Sequence, residues 1–124
     1  MAKKIIVIDD SKTVRDHVRG VLEKAGYAVL EAADGQEGFD KISKERDLAV
    51  AICDINMPVL NGIGMLEALK GAGLVQSPPV VMLTTEGQPA LIQKAKQAGA
   101  KGWIVKPFKP EQLVAAINKI AGVA

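Results

Sequence analysis

Lys4-Ile5-Ile6-Val7-Ile8-Asp9-Asp10-Ser11, residues 4–11, is the stretch that decides the architecture. Its β-branched run shows no polar alternation, which suits a strand buried on both faces of a parallel sheet rather than one with a wet face. The run halts at two aspartates. From Ser11 the period changes: Val14, Val18, Val21 and Leu22 recur at helical spacing, Ser11 can cap the start, and Gly26 suits the stop. The first unit is therefore a strand, an acidic loop and a helix.

The same unit recurs along the chain. Tyr27 to Ala32 reads as a strand, Asp34-Gly35 as a turn, and the next helix carries Phe39 and Ile42 inward. Leu48 to Cys53 is the third strand. Pro58, Asn61 and Gly62 punctuate a loop before a helix marked by Met65, Leu66 and Leu69, and Pro78-Pro79 leads into Val80 to Thr84. Leu91, Ile92 and Ala95 give the fourth helical stripe, and Gly102 to Val105 the fifth strand. Pro110 opens the last helix, with Leu113, Val114, Ile117 and Ile120. Five strands alternating with five helices predict an α/β doubly wound domain, a five-stranded parallel sheet with helices on both faces.

The 124 residues suffice for one domain, so residues 1–124 are expected to form a single unit with no output domain. Hydrophobic residues at 48 % and charged residues at 24 % supply enough apolar surface for a packed core. Apolar stretches such as Ile5 to Ile8 fall far short of the roughly 20 residues that span a bilayer, so no membrane segment is expected. The start of the chain lacks the apolar core of a signal peptide. Cys53, the only cysteine, excludes an intramolecular disulfide and a cysteine-rich zinc site. A reducing cytoplasm is the expected location. A net charge of +2, with lysines spread among acids, gives no support for nucleic-acid binding.

In sheets of this kind ligands bind outside the carboxyl ends of the strands. Those ends are Asp9-Asp10, Asp54, Thr84-Thr85 and Lys106-Pro107. Carboxylates converging on one edge repel one another unless a cation neutralises them, and all-oxygen ligands without histidine or cysteine clusters point to Mg²⁺. Lys106 offers a point charge and Thr84 a hydroxyl for phosphoryl oxygens. With Asp54 as the attacking carboxylate, followed by the loop Ile55-Asn56-Met57-Pro58 whose backbone carbonyls could also reach the metal, the set predicts phosphoryl transfer. Taken alone, Asp9-Asp10 reads equally as a helix cap, and Thr85 could replace Thr84 as the hydroxyl. None of these residues is expected to serve packing.

Val7-Ile8-Asp9-Asp10-Ser11, Cys53-Asp54-Ile55-Asn56-Met57-Pro58 with Gly62, Thr84, and Val105-Lys106-Pro107-Phe108 stand in order at the ends of successive strands. With these motifs the chain closely resembles the response-regulator receiver domains of two-component signalling, above all those that stand alone in chemotaxis. The resemblance covers essentially the whole chain and implies the flavodoxin-like (βα)5 fold. It implies phosphorylation of Asp54 by a histidine kinase, with Asp10, Asp54 and the Asn56 carbonyl on Mg²⁺ and Asp9 acting through water. Thr84 and Lys106 would grip the phosphoryl group. Lys106-Pro107 would be a cis peptide. Thr84 and the strand-five aromatic, here Trp103, would form the switch that remodels the face of helix four, strand five and helix five read by a downstream target, such as a flagellar motor switch; by itself Trp103 reads equally as plain core packing.

Several positions depart from the family pattern. Trp103 replaces the more frequent Tyr or Phe and donates through a ring N–H instead of a hydroxyl. Thr85 stands where a small residue is frequent and would narrow the entry for water or a phosphatase, whereas Asn56 and Glu86 favour attack by water. Asn61 takes the place of a frequent acid, an effect confined to the turn. Cys53 reads as a buried apolar residue and His17 as a surface or partly packed one. The lysines at 94, 96, 101, 109 and 119 read as a solvated face near the expected output surface, suited to an acidic partner. The leading function is a regulatory phosphoacceptor and not an enzyme. The alternatives are a phosphorelay intermediate, and a Mg²⁺-dependent phosphatase or phosphotransferase using a covalent aspartyl phosphate.

Overall fold

A computed structural model describes residues 3–45, 47–55, 61–73, 78–85 and 88–122. Strands and helices alternate as β1 (Lys4–Ile8), α1 (Lys12–Lys24), β2 (Ala28–Ala32), α2 (Gly35–Lys44), β3 (Leu48–Cys53), α3 (Gly62–Ala72), β4 (Val80–Thr84), α4 (Pro89–Gln97), β5 (Gly102–Val105) and α5 (Pro110–Ala121). All strand pairs are parallel and the sheet order is β2-β1-β3-β4-β5. This is the predicted doubly wound, flavodoxin-like sheet. Strand order reverses between β1 and β3, and the ends of these two strands open the crevice in which such folds bind ligands.

Both faces of the sheet are buried, and each strand divides its side chains between them. Ile6, Ile8, Ala51, Cys53, Val80 and Met82 meet Ile42, Met65, Leu66, Leu69 and Ala95 from α2, α3 and α4. Ile5, Val7, Val50, Ile52, Val81 and Leu83 meet Val18, Leu22, Leu113 and Ile117 from α1 and α5. Uninterrupted apolar runs in the sequence are the direct result, because alternate residues enter two different cores.

Local signals end the helices. Ser11 caps α1, its Oγ accepting from the Val14 N–H at 3.3 Å. Asp34 caps α2 by accepting from the Glu37 N–H at 2.8 Å, and Asn61 caps α3 by accepting from the Gly64 N–H at 2.8 Å. Gly26 follows α1 with φ +96°, a conformation that favours glycine. Tyr27, read from the sequence as the first residue of β2, instead donates its N–H to the Leu22 carbonyl at 3.1 Å. That bond belongs to the end of α1, so the ladder starts at Ala28.

Candidate functional site

The parallel register brings the acidic residues together. Ile8 pairs with Cys53, and the Asp54 N–H donates to the Ile8 carbonyl at 3.0 Å, so Asp9 and Asp54 leave the sheet side by side. Asp10 follows in the short link to α1. Ligand oxygens from Asp9, Asp10 and Asp54 lie within 4.8 Å of one another. Asp9 and Asp54 are buried, whereas Asp10 is exposed and forms the open side of the cluster.

Lys106 enters from the end of β5, where its backbone N–H donates to the Thr84 carbonyl at 2.8 Å. The Lys106 ammonium donates to Asp9 Oδ2 at 2.9 Å and reaches Asp54 Oδ2 at 3.5 Å. The cluster has three carboxylates and its one ammonium pairs with two of them, leaving net negative charge that suits a hard dication with oxygen ligands. The other Asp9 oxygen accepts from the Ser11 N–H at 2.9 Å. Asp9 is therefore tied from two sides, while among the described residues no hydrogen bond or ion pair holds the Asp10 carboxylate.

Thr84 is fully buried and Thr85 is exposed. Asp9, Asp54 and Thr84 are buried although polar, at the ends of β1, β3 and β4, which are interior strands of the sheet. The Lys106–Pro107 bond is cis. Trp103, the cross-strand partner of Met82, packs against the core beneath α2, α3 and α4. Its Nε1–H is buried without an acceptor among the described residues. Asn56 and Glu86, the sequence candidates for a metal-facing carbonyl and for control of dephosphorylation, lie outside the described residues.

Cys53 is fully buried beside Asp54, and burial pushes its thiol pKa above the usual range, with the negative charges of Asp54 and Asp9 adding to the effect. His17 is exposed and stacks on Phe108 with ring centroids 5.1 Å apart. Lys94, Lys96, Lys101, Lys109 and Lys119 are all exposed.

Two contributors escaped the sequence reading. Gly62 reads from the sequence only as a motif residue and as punctuation of the loop before α3, and the structure adds a packing reason: a Cβ there would sit 2.3 Å from the Asp54 carbonyl oxygen and 2.8 Å from Met82 Cε. Glycine is thus required for α3 to start against the phosphoacceptor candidate. Arg15 had no sequence signal, since an arginine on an amphipathic helix reads as surface. Its side chain is 16 % exposed, and the guanidinium donates to the Asp9 carbonyl at 2.7 Å and to Glu31 Oε1 at 3.1 Å.

The sheet order and the carboxylate cluster at the β1–β3 switch define a class: flavodoxin-like doubly wound domains with an acidic site at the carboxyl edge of the sheet. Residues 5–118 match the family model described as response regulator receiver domain. The chain belongs to that family. It is 37 % identical over 120 residues to the chemotaxis protein CheY1 of Helicobacter pylori, covering 96 % of this chain and 97 % of that protein. It is 34 % identical over 122 residues to the chemotaxis protein CheY of Thermotoga maritima, covering 98 % and 99 %. The solved structure of Vibrio cholerae chemotaxis protein CheY4 superposes with a TM-score of 0.89 at 40 % identity, over 97 % of this chain and 99 % of that one.

Proposed function

We propose that this chain is a stand-alone response regulator whose Asp54 accepts a phosphoryl group from a histidine kinase and thereby changes its affinity for a target protein in chemotaxis. The observation that carries the reading is the cluster at the switch point: Asp54 within 4.8 Å of two further carboxylates and 3.5 Å from the Lys106 ammonium. Names of relatives similar over nearly their full length support chemotaxis as the setting, and the family's description as a response regulator receiver domain supports a regulatory role.

Asp9, Asp10 and Asp54 fit a divalent cation by their donor type and mutual spacing, and Mg²⁺ is the hard ion such a set selects. When bound, it supplies positive charge to the phosphoryl oxygens and to the attacking carboxylate. An Asp54 carboxylate oxygen attacks phosphorus, forming the P–O bond. The P–N bond to the donor histidine breaks, and its electron pair leaves on the imidazole nitrogen. Lys106 is placed to exchange its carboxylate partners for a phosphoryl oxygen, and Thr84 stands at the end of the neighbouring strand. Both positions suit electrostatic stabilisation, the main contribution a protein makes to this chemistry.

Trp103, the cross-strand partner of Met82, is the residue that in this reading would carry a change at the site to the output surface. A buried indole N–H that meets no acceptor costs about 1–3 kcal/mol, and none meets this one among the described residues, which lowers the preference for the packed position by that much. The exposed Lys94, Lys96 and Lys119 on α4 and α5, with Lys101 and Lys109 just before β5 and α5, suit an acidic target such as a motor-switch component.

The test is intact mass after incubation with acetyl phosphate and Mg²⁺, with Asp54→Asn and a chelated sample as controls. Addition of one phosphoryl group, labile to hydroxylamine and dependent on both Asp54 and Mg²⁺, is the expected result. No adduct with acetyl phosphate or with a phosphorylated histidine kinase would refute it.

A further inference from the structure

We propose that Arg15 is a positioning residue for the acidic site, fixing the Asp9–Asp10 peptide plane so that the Asp10 carboxylate faces Asp54. The inference rests on the metal-dependent reading of that site given above.

The Asp9 carbonyl is part of the peptide unit that also carries the Asp10 nitrogen, and a peptide unit is planar. A hydrogen bond to this oxygen therefore sets the direction in which the Asp10 Cα and its side chain leave β1. Arg15 supplies that bond at 2.7 Å. The guanidinium is itself anchored: Nε donates to Glu31 Oε1 at 3.1 Å, and Glu31 Oε2 accepts from Arg19 at 2.6 Å, so both Glu31 oxygens are held. Glu31 belongs to β2, whose next residue accepts the Asp9 N–H at 3.0 Å. The result is a bracket from the first turns of α1 to β2 that closes around the end of β1.

Asp10 needs such a bracket more than its neighbours do. The Asp9 carboxylate is tied to Ser11 and Lys106, and the Asp54 carboxylate faces Lys106. Asp10 is exposed and has no side-chain partner among the described residues, so only its backbone directs it. Arginine suits this role because its planar fork serves the carbonyl and the carboxylate at once, which a lysine ammonium does with less geometric control.

Electrostatics and positioning predict opposite signs. Removing a cation near a cation site should tighten metal binding if Arg15 acts only through its charge. If it positions Asp10, binding should weaken despite the lost charge. The experiment titrates the native chain, Arg15→Gln and Arg15→Lys with Mn²⁺ and counts the free ion by its paramagnetic resonance signal, with thermal unfolding in chelator to confirm folding.

Arg15→Gln is expected to bind Mn²⁺ about tenfold more weakly, the low end for outer-shell partners because the bond is to the peptide and not to the ligand itself. Arg15→Lys should fall between it and the native chain. Unchanged or tighter binding by folded Arg15→Gln would overturn the proposal. Should Arg15→Gln not fold, native affinity in Arg15→Lys would overturn it instead. Absence of Mn²⁺ binding by the native chain would overturn the metal reading and the proposal with it, a result distinct from native binding that the variants leave unaltered.

Discussion

Lys106→Met removes the ammonium that holds the carboxylates together. Nζ lies 2.9 Å from Asp9 Oδ2 and 3.5 Å from Asp54 Oδ2, with the lysine side chain 16 % exposed and the two acids at 3 % and 11 %. At an effective dielectric near 20, a unit pair about 4 Å apart attracts by about 4 kcal/mol, but desolvation of the lysine opposes this. Breaking a buried pair and leaving its partner uncompensated costs about 3–5 kcal/mol. The partial exposure of Lys106 favours the lower figure, so the variant should lose about 3 kcal/mol in chelator. Mg²⁺ should restore much of this. The ion stabilises any folded form that binds it, by about 2.7 kcal/mol at a hundred times the dissociation constant, and the variant has no resident ammonium competing for Asp9 and Asp54. Urea unfolding in chelator and across a Mg²⁺ series gives both quantities. Phosphoryl uptake from acetyl phosphate should nevertheless fall about a hundredfold, the cost of removing one donor to developing negative charge. A variant as stable as native in chelator, or a native chain that gains more from Mg²⁺ than the variant does, would refute the reasoning.

Gly62→Ala places a methyl group 2.3 Å from the Asp54 carbonyl and should cost at least about 1–3 kcal/mol while slowing phosphoryl uptake; urea curves and mass spectrometry report both. The buried Cys53 thiol, its pKa raised mainly by desolvation, should react with a disulfide reagent only on unfolding. Because the unfolded thiol ionises near about pH 8.5, its contribution to stability is complete below that pH and is lost as pH rises beyond it. Cys53→Ala should flatten this alkaline decline in urea midpoints. Trp103→Phe removes a buried donor that has no acceptor among the described residues, so relief of about 1–3 kcal/mol should offset most of the lost packing. Its measured change in urea should lie well below the 3–5 kcal/mol of a full truncation.

The fold was legible because its signals are local. Ser11 and Pro110 mark helix starts, and buried β-branched runs mark the strands, whatever lies opposite them. Tyr27 shows where that ends: its side chain suits a strand, but its N–H is claimed by the end of α1. Composition does not encode such a competition for one hydrogen bond. Convergence of Asp9, Asp10, Asp54 and Lys106 was equally legible once parallel topology put the strand ends on one edge. Pairings across the fold were not. The closer approach of Lys106 to Asp9 than to Asp54, the Arg15 bracket and the fit of Gly62 against Asp54 all depend on side-chain directions that residue spacing leaves open.

Those pairings also give the site a short route to Trp103. The Asp54 carbonyl limits the space at Gly62, the same glycine abuts Met82 Cε, and Met82 is the cross-strand partner of Trp103. Each step is a packed contact in a core where small displacements are resisted, so a shift at the end of β3 has somewhere definite to go. Spatial continuity alone does not establish coupling; a double-mutant cycle does. Gly62→Ala and Trp103→Phe should be non-additive in urea stability by about 0.5–1 kcal/mol, because the overpacking that one introduces is relieved through Met82 by the smaller ring of the other. Additivity within about 0.3 kcal/mol would mean that strain at Asp54 stops at Met82 and does not reach the indole by this route.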